Sequence, residues 1–150
     1  MPNKKIQKGI VLAFCVSKRK HTAKKAVESV FFKKDFGIKN DAHAGDTHRQ
    51  VSILDDAAIS KMKQKGVSLS QGSFGENIIM KGLNLKALKI ADQIKIGPTA
   101  VLEVTQIGKD CHEPCAIFKK AGYCIMPSEG IFARVVSSGK AKALDPVRCI

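Results

Sequence analysis

A β-rich α+β domain, its short strands closed or partly closed into a barrel with a few short helices, is the architecture this sequence predicts. Three observations carry it. Apolar segments of strand length recur along the chain, cut apart by Gly, Asn and Asp. Only two segments have the start and stop signals of a helix. With that many short strands, closing the sheet removes the exposed edges that would otherwise pair with other chains. A length of 150 residues suits one domain, 1–150, with a real core, and no internal repeat or low-complexity tract divides it.

The elements follow in order. Ile10 to Val16 reads as a buried strand and places Cys15 in the core. Val27 to Phe32 reads as a second strand. Gly37 to Arg49 is polar, with Gly37, Asn40, Asp41, Gly45 and Asp46, and reads as an irregular loop. Gln50 to Leu54 is a strand with mixed faces. Asp55 or Asp56 caps a helix whose apolar face is Ala57, Ala58, Ile59 and Met62, and Gly66 stops it. Gly72 to Gly75 is a turn. Asn77–Met80, Leu83–Ile90, Gln93–Ile96 and Ala100–Gln106 are strand-like, separated by Gly82, Asp92 and Gly97-Pro98. Pro114 opens a short helix that ends near Gly122, since proline is welcome at a first helical position. Gly130 to Ser137 is a strand with Phe132, Arg134 and Val136 on one face, and Leu144 to Ile150 closes the sheet.

The apolar run Gly9–Val16 is far short of the roughly 20 residues a bilayer needs, and no cleavage site follows it. Five cysteines, Cys15, Cys111, Cys115, Cys124 and Cys149, are odd in number and unevenly spaced, so the expectation is a cytoplasmic protein with reduced thiols. The net charge is +13, and residues 1–34 hold ten Lys or Arg against Glu28 alone. Such an excess favours anionic partners. With one Tyr and no Trp, the stacking rings of a nucleic-acid binder are scarce, and nucleic acid is not an expected partner.

Chemistry concentrates between Gly108 and Cys124. Cys111, His112, Cys115 and Cys124 fall within fourteen residues. If Pro114 opens a helix, Cys115 sits in its first turn, where unpaired N–H groups and nearby Lys109 stabilise a thiolate. Such a thiolate can ligate a soft metal or attack sulfur. The same four residues are potential zinc ligands, but Cys-x-x-x-Cys replaces the usual Cys-x-x-Cys, and adjacent Cys111 and His112 fit one ion awkwardly. Redox pairing of Cys111 with Cys115 is opposed by Pro114. In Asp41–Gln50, His43 and His48 either order the loop or join Arg49 in meeting an anion. In Gln71–Asn77, two glycines let backbone N–H groups approach a phosphate. Arg134 is either a second anion clamp or one half of a strand-edge salt bridge.

Several segments, in order, resemble the MOSC family, the domain found at the C-terminus of molybdenum-cofactor sulfurases. They are Gly37-Ile38, Asp41-Ala42-His43-Ala44-Gly45, His48-Arg49-Gln50-Val51-Ser52, Gly72-Ser73-Phe74-Gly75-Glu76-Asn77, Leu102 to Lys109, Cys111-His112 with Cys115, and Met126-Pro127 with Glu129 to Phe132. The resemblance is to the small stand-alone bacterial members. It implies a MOSC or pyruvate-kinase-barrel-like fold, a pocket for the molybdenum cofactor (molybdopterin), and a cysteine that carries sulfur or ligates the metal. That cysteine is carried to Cys115, with Cys111 second. Arg49, His48, His43, Gly75, Asn77, Lys109, His112 and Arg134 are the implied cofactor-binding residues. Asn40, Ala91 and Leu144 stand where the family favours Gly; they bear on turn geometry rather than chemistry.

The expected function is therefore binding a molybdenum cofactor or related pterin and handling sulfur through a reactive cysteine, as carrier or delivery protein for molybdoenzymes. A cysteine desulfurase or a molybdoenzyme is the expected partner, and pyridoxal phosphate enters only through such a partner. Whether the chain turns over a substrate is left open. The rival is a zinc-stabilised, basic nucleic-acid-binding module built on the lysines up to Lys34 and the cysteine cluster.

Overall fold

The computed structural model describes residues 7–19, 23–45, 47–66, 68–108 and 130–150. In chain order these form β1 (Lys8–Val16), β2 (Lys25–Val27), β3 (Ser29–Lys33), β4 (Gly37–Ile38), β5 (Val51–Asp55), α1 (Asp56–Gln64), β6 (Ile78–Lys81), a 3-10 turn (Leu85–Ala87), β7 (Gln93–Ile96), β8 (Ala100–Ile107), β9 (Ile131–Ser137), β10 (Gly139–Lys142) and β11 (Pro146–Cys149). Seven strands run β11-β7-β8-β9-β5-β6-β1, and β11 pairs back onto β1 to close the barrel. β10, β3 and β4 form a separate small sheet. The β-rich barrel expected from the sequence is what the chain adopts, with the last strand making the closure. Among the described residues no helix is long and apolar enough to cross a membrane.

Strand alternation sets the two faces. Val51, Ile53, Ile78, Met80, Leu102, Val104, Ala133 and Val135 point into the barrel core. Leu54, Ile79 and Phe132 point outward and pack with Ala58, Ile59 and Met62 of α1. A bulge in β1 between Val11 and Ala13 shifts the parity. Val11 and Phe14, three apart, thus both join the barrel core, while Ala13 and Cys15 face the α1 side. The β5–β6 pair is parallel, and α1 lies in the crossover such a pair requires. Asp55 caps α1, its side chain accepting from Ala57 N at 3.0 Å.

Three details depart from the sequence reading. Val27–Phe32 divides at Glu28: β2 pairs with β1 and β3 with β10, so the chain steps from the barrel to the small sheet. Leu83–Ile90 holds a 3-10 turn, Leu85–Ala87, rather than a strand, because Leu85 and Leu88 bury at a spacing of three, with Leu88 N donating to Leu85 O. β10 was not anticipated; its Gly-Lys-Ala-Lys sequence has no β-branched residue to mark it. Asn40, Ala91 and Leu144 have φ of 72°, 76° and 73°. The left-handed turns that glycine would supply are thus kept without it.

Candidate functional site

The loop after β4 has a buried beginning and an exposed end. Asp41 is buried, its Oδ1 accepting from Lys24 Nζ at 2.7 Å and from Ser17 N at 3.1 Å, its Oδ2 from His43 N at 3.2 Å. The side chains of Lys24 and Asp41 are both fully buried. The ammonium also donates to Ser17 Oγ at 3.3 Å and lies 2.9 Å from His43 Nδ1. An ammonium only donates, so Nδ1 accepts and the imidazole proton sits on Nε2. Lys24 and Asp41 therefore fix the tautomer of His43.

The turn Gln71–Asn77 packs against this group. Lys24 N donates to Gly72 O at 3.0 Å, and a Cβ on Gly72 would overlap the Lys24 carbonyl, so only glycine fits. Glu76 is fully buried and accepts from Gly72 N at 3.2 Å and Phe74 N at 3.0 Å. Burial pushes its carboxyl above the ordinary carboxylate value, against the pull of those N–H groups and of Lys24. Cys15 is pushed up to about 12, first by burial and then by Glu76, with Lys24 opposing. It is a protonated thiol at neutral pH and a poor nucleophile. Asn77 Oδ1 accepts from Ser52 N at 3.0 Å, and its Nδ2 donates to Cys15 O at 3.0 Å, which ties β5 to β1. Gly75 has φ of 77°, and a Cβ there would meet nothing within 4 Å.

The exposed end meets β8 and β9. The Thr105 hydroxyl donates to the His48 carbonyl. Gln106 Oε1 accepts from His48 Nε2 at 2.8 Å and from Arg49 Nε at 2.9 Å. The Arg49 guanidinium lies 5.4 Å from the Phe132 ring centroid, a cation–π arrangement. Gln106 Nε2 donates to Gly108 O at 2.8 Å, and Gly108 N to Gly130 O at 2.7 Å. Gly108 and Gly130 flank residues 109–129, so the two ends of that segment are joined to each other and, through Gln106, to His48 and Arg49. Lys109, Cys111, His112, Cys115 and Cys124, with the helix expected from Pro114, lie outside the described residues. Among the described residues no carboxylate lies within 4 Å of Arg49, and no cluster of His, Cys, Asp or Glu can hold a metal ion.

Arg134 sits on the outer face of β9, two residues from Phe132. Its Nε and Nη2 both reach Glu103 Oε2 at 2.9 Å, and Nη1 lies 3.6 Å from Asp35 Oδ1. The sequence-named residues thus divide: His48 and Arg49 meet on β8–β9, His43 joins the buried Lys24 group, Asn77 and Gly75 belong to the turn, and Arg134 is paired with acids. Sequence reasoning missed Lys24, Glu76 and Phe132 as members of these groups. Lys24 is indistinguishable by type from the lysines around it; Glu76 and Phe132 stood inside recognised motifs, and their positions there were the available signal.

A family model described as the MOSC domain matches residues 40–148. Among solved structures, the YuaD protein from Bacillus subtilis superposes with a TM-score of 0.83 at 19% identity, covering 97% of both chains. YiiM from Geobacillus stearothermophilus gives 0.66 at 18% identity, covering 97% of this chain and 75% of that one. YiiM from Escherichia coli gives 0.66 at 16% identity, covering 95% and 69%. At these identities the likeness is one of fold. No curated protein sequence matches the chain.

Proposed function

The chain belongs to the MOSC domain family, and on that footing we propose that it binds a molybdenum cofactor or a related pterin and handles sulfur through Cys115, as a carrier or delivery protein for molybdoenzymes. Family membership supports a molybdenum-cofactor-related binding or sulfur role in general. The observation that carries the finer reading is the tether: the segment bearing Cys111 and Cys115 begins and ends beside Gln106, which holds His48 and Arg49.

The donor set fits the group. Arg49 is oriented by one bond through Nε, which leaves a planar cation beside Phe132 with no carboxylate near it among the described residues. A guanidinium so placed suits the phosphate of a pterin cofactor. His48, which shares Gln106 Oε1 with Arg49, is the accompanying contact proposed. When bound, the cofactor supplies a molybdenum centre that accepts soft sulfur ligands. The chain's own part is sulfur transfer at Cys115. Its thiolate attacks the outer sulfur of a donor persulfide, the S–S bond breaks, the donor leaves as thiolate, and Cys115 holds the sulfur as a persulfide anion. No net oxidant is consumed. A cysteine desulfurase is the donor proposed, with pyridoxal phosphate belonging to it.

The test is persulfide labelling by intact mass after exposure to a small-molecule persulfide donor. Cys115→Ser is expected to lose the label, while Cys15→Ser keeps it because Cys15 is a buried, protonated thiol. Retention in Cys115→Ser with loss in Cys111→Ser overturns the assignment of Cys115; labelling in neither wild type nor variants overturns the carrier role.

A further inference from the structure

A cavity lies apart from the Arg49 group and shares no lining residue with it. It measures about 250 Å³, and Val16, Val27, Val30 and Phe31 form its apolar wall. Ser29, Lys39, Asn40 and Lys140 supply its polar groups. Apart from Asn40 and Lys140 these residues precede residue 40, where the family match begins.

The charged groups are all of one sign. Both charged residues are lysines, and no carboxylate lines the cavity. Among the described residues, the side chains of Ser29, Lys39, Asn40 and Lys140 make no hydrogen bond or ion pair. Phe31 is 43% exposed, and it stands opposite Lys140 in the β3–β10 register. Lys39 N donates to Phe31 O at 2.9 Å, so β3 and the turn after β4 set Phe31 and both lysines around one hollow. Asn40 holds φ of 72°, where glycine would sit at lower cost, and its amide is one of the groups lining the hollow.

We propose that this cavity binds a small phosphate monoester carrying one aromatic ring system, of mononucleotide size. Two ammonium groups suit a dianion. An exposed ring backed by valines suits a flat apolar body. The volume falls below the roughly 300–1,000 Å³ of drug-sized pockets, which matches one ring system and one phosphate rather than a dinucleotide. A single exposed aromatic stacks one base, which argues for a mononucleotide over a single-stranded nucleic acid, whose binders stack successive bases.

The experiment is equilibrium dialysis of the whole chain with adenosine 5′-monophosphate, adenosine, inorganic phosphate and a dodecathymidylate, at about 0.15 M ionic strength. The monophosphate is expected to bind at least about tenfold tighter than adenosine or phosphate alone. Lys39→Glu with Lys140→Glu is expected to weaken it at least about tenfold, and Phe31→Ala about fivefold, with melting temperatures unchanged because these side chains are exposed. Arg49→Ala and Cys115→Ser are expected to bind the monophosphate as wild type does. This separates the cavity from the cofactor reading, so either can fail alone. Equal affinity for all three small probes, binding insensitive to the lysine and phenylalanine changes, binding lost in Arg49→Ala, or binding of the dodecamer alone would each overturn the proposal.

Discussion

The two ends of one loop are built on opposite principles. At its start, Asp41 and His43 join Lys24 in a buried group where each oxygen of Asp41 and the Nδ1 of His43 has a partner. At its end, His48 and Arg49 hang on a single amide oxygen of Gln106, and Arg49 meets no carboxylate among the described residues. Seven residues thus carry the chain from satisfied to open chemistry. A buried polar group must be closed because an unpaired charge out of water is costly. A half-buried cation still within reach of water can wait for an anion because water screens it meanwhile. The comparison teaches that histidines and arginines within one motif need not share a role: the first half joins Lys24, whose N–H holds the turn Gln71–Asn77, and the second half is joined through Gln106 to Gly108.

The sharpest way to break this contrast is to remove the cation from the closed half. Lys24→Met leaves Asp41 and its hydrogen bonds without a counter-charge in a fully buried place. The expected cost is about 3–5 kcal/mol in urea unfolding, the usual result of orphaning one member of a buried pair. Lys24→Met with Asp41→Leu is expected to recover part of it, because both charges are then gone. A loss below about 1 kcal/mol in Lys24→Met would put the pair in the class of surface bridges and erase the distinction.

Glu76 sharpens the same half by its pH dependence. Its folded-state carboxyl is raised above the ordinary 4.5 by burial. The folded protein therefore holds this proton to higher pH than the unfolded chain does, and the stability so gained is present below 4.5 and lost as pH rises through the folded value. Each unit of elevation is worth about 1.4 kcal/mol. Compared over rising pH, wild type is expected to lose ground against Glu76→Gln, which does not titrate. A gap that moves in favour of wild type with rising pH would mean that Lys24 and the backbone N–H groups outweigh desolvation.

Much of the barrel was legible because alternation is a local signal. Ala100–Gln106 alternates buried and half-buried residues, and it pairs as β8 with the apolar run Gly130–Ser137, which forms β9. What decided Lys24 was not local: Lys24 and Lys25 are the same residue type side by side, and only the approach of Gly72 and Asp41 from elsewhere in the chain buries one of them. Leu83, Leu85 and Leu88 misled because two apolar residues at alternate positions look like a strand until the third falls three residues on. In the site, the His48-Arg49 motif could be read as an anion contact or as a loop-ordering element; the bonds to Gln106 and the stacking on Phe132 add the ordering element that type alone left open. The strongest chemical signal in the sequence, Cys111 to Cys124, lies outside the described residues, so its reading still rests on residue type and on the tether at Gly108 and Gly130.

The smallest expected effect belongs to the open half and is the one that most directly separates binding from folding. Arg49→Ala removes one hydrogen bond to Gln106 and one cation–π contact. A partly exposed contact of that kind contributes about 0.5–1 kcal/mol, and the bond, shared with His48 at the same oxygen, adds little because Gln106 keeps a donor. The variant is expected to lose about 1 kcal/mol or less in urea unfolding, far from the Lys24→Met value. Loss of pterin cofactor retention in the same variant, measured on protein that remains folded, is the expected companion result. A loss of 3 kcal/mol or more would instead make Arg49 a structural cation like Lys24; the loop would then be closed at both ends, and no open anion contact would remain at Gln106.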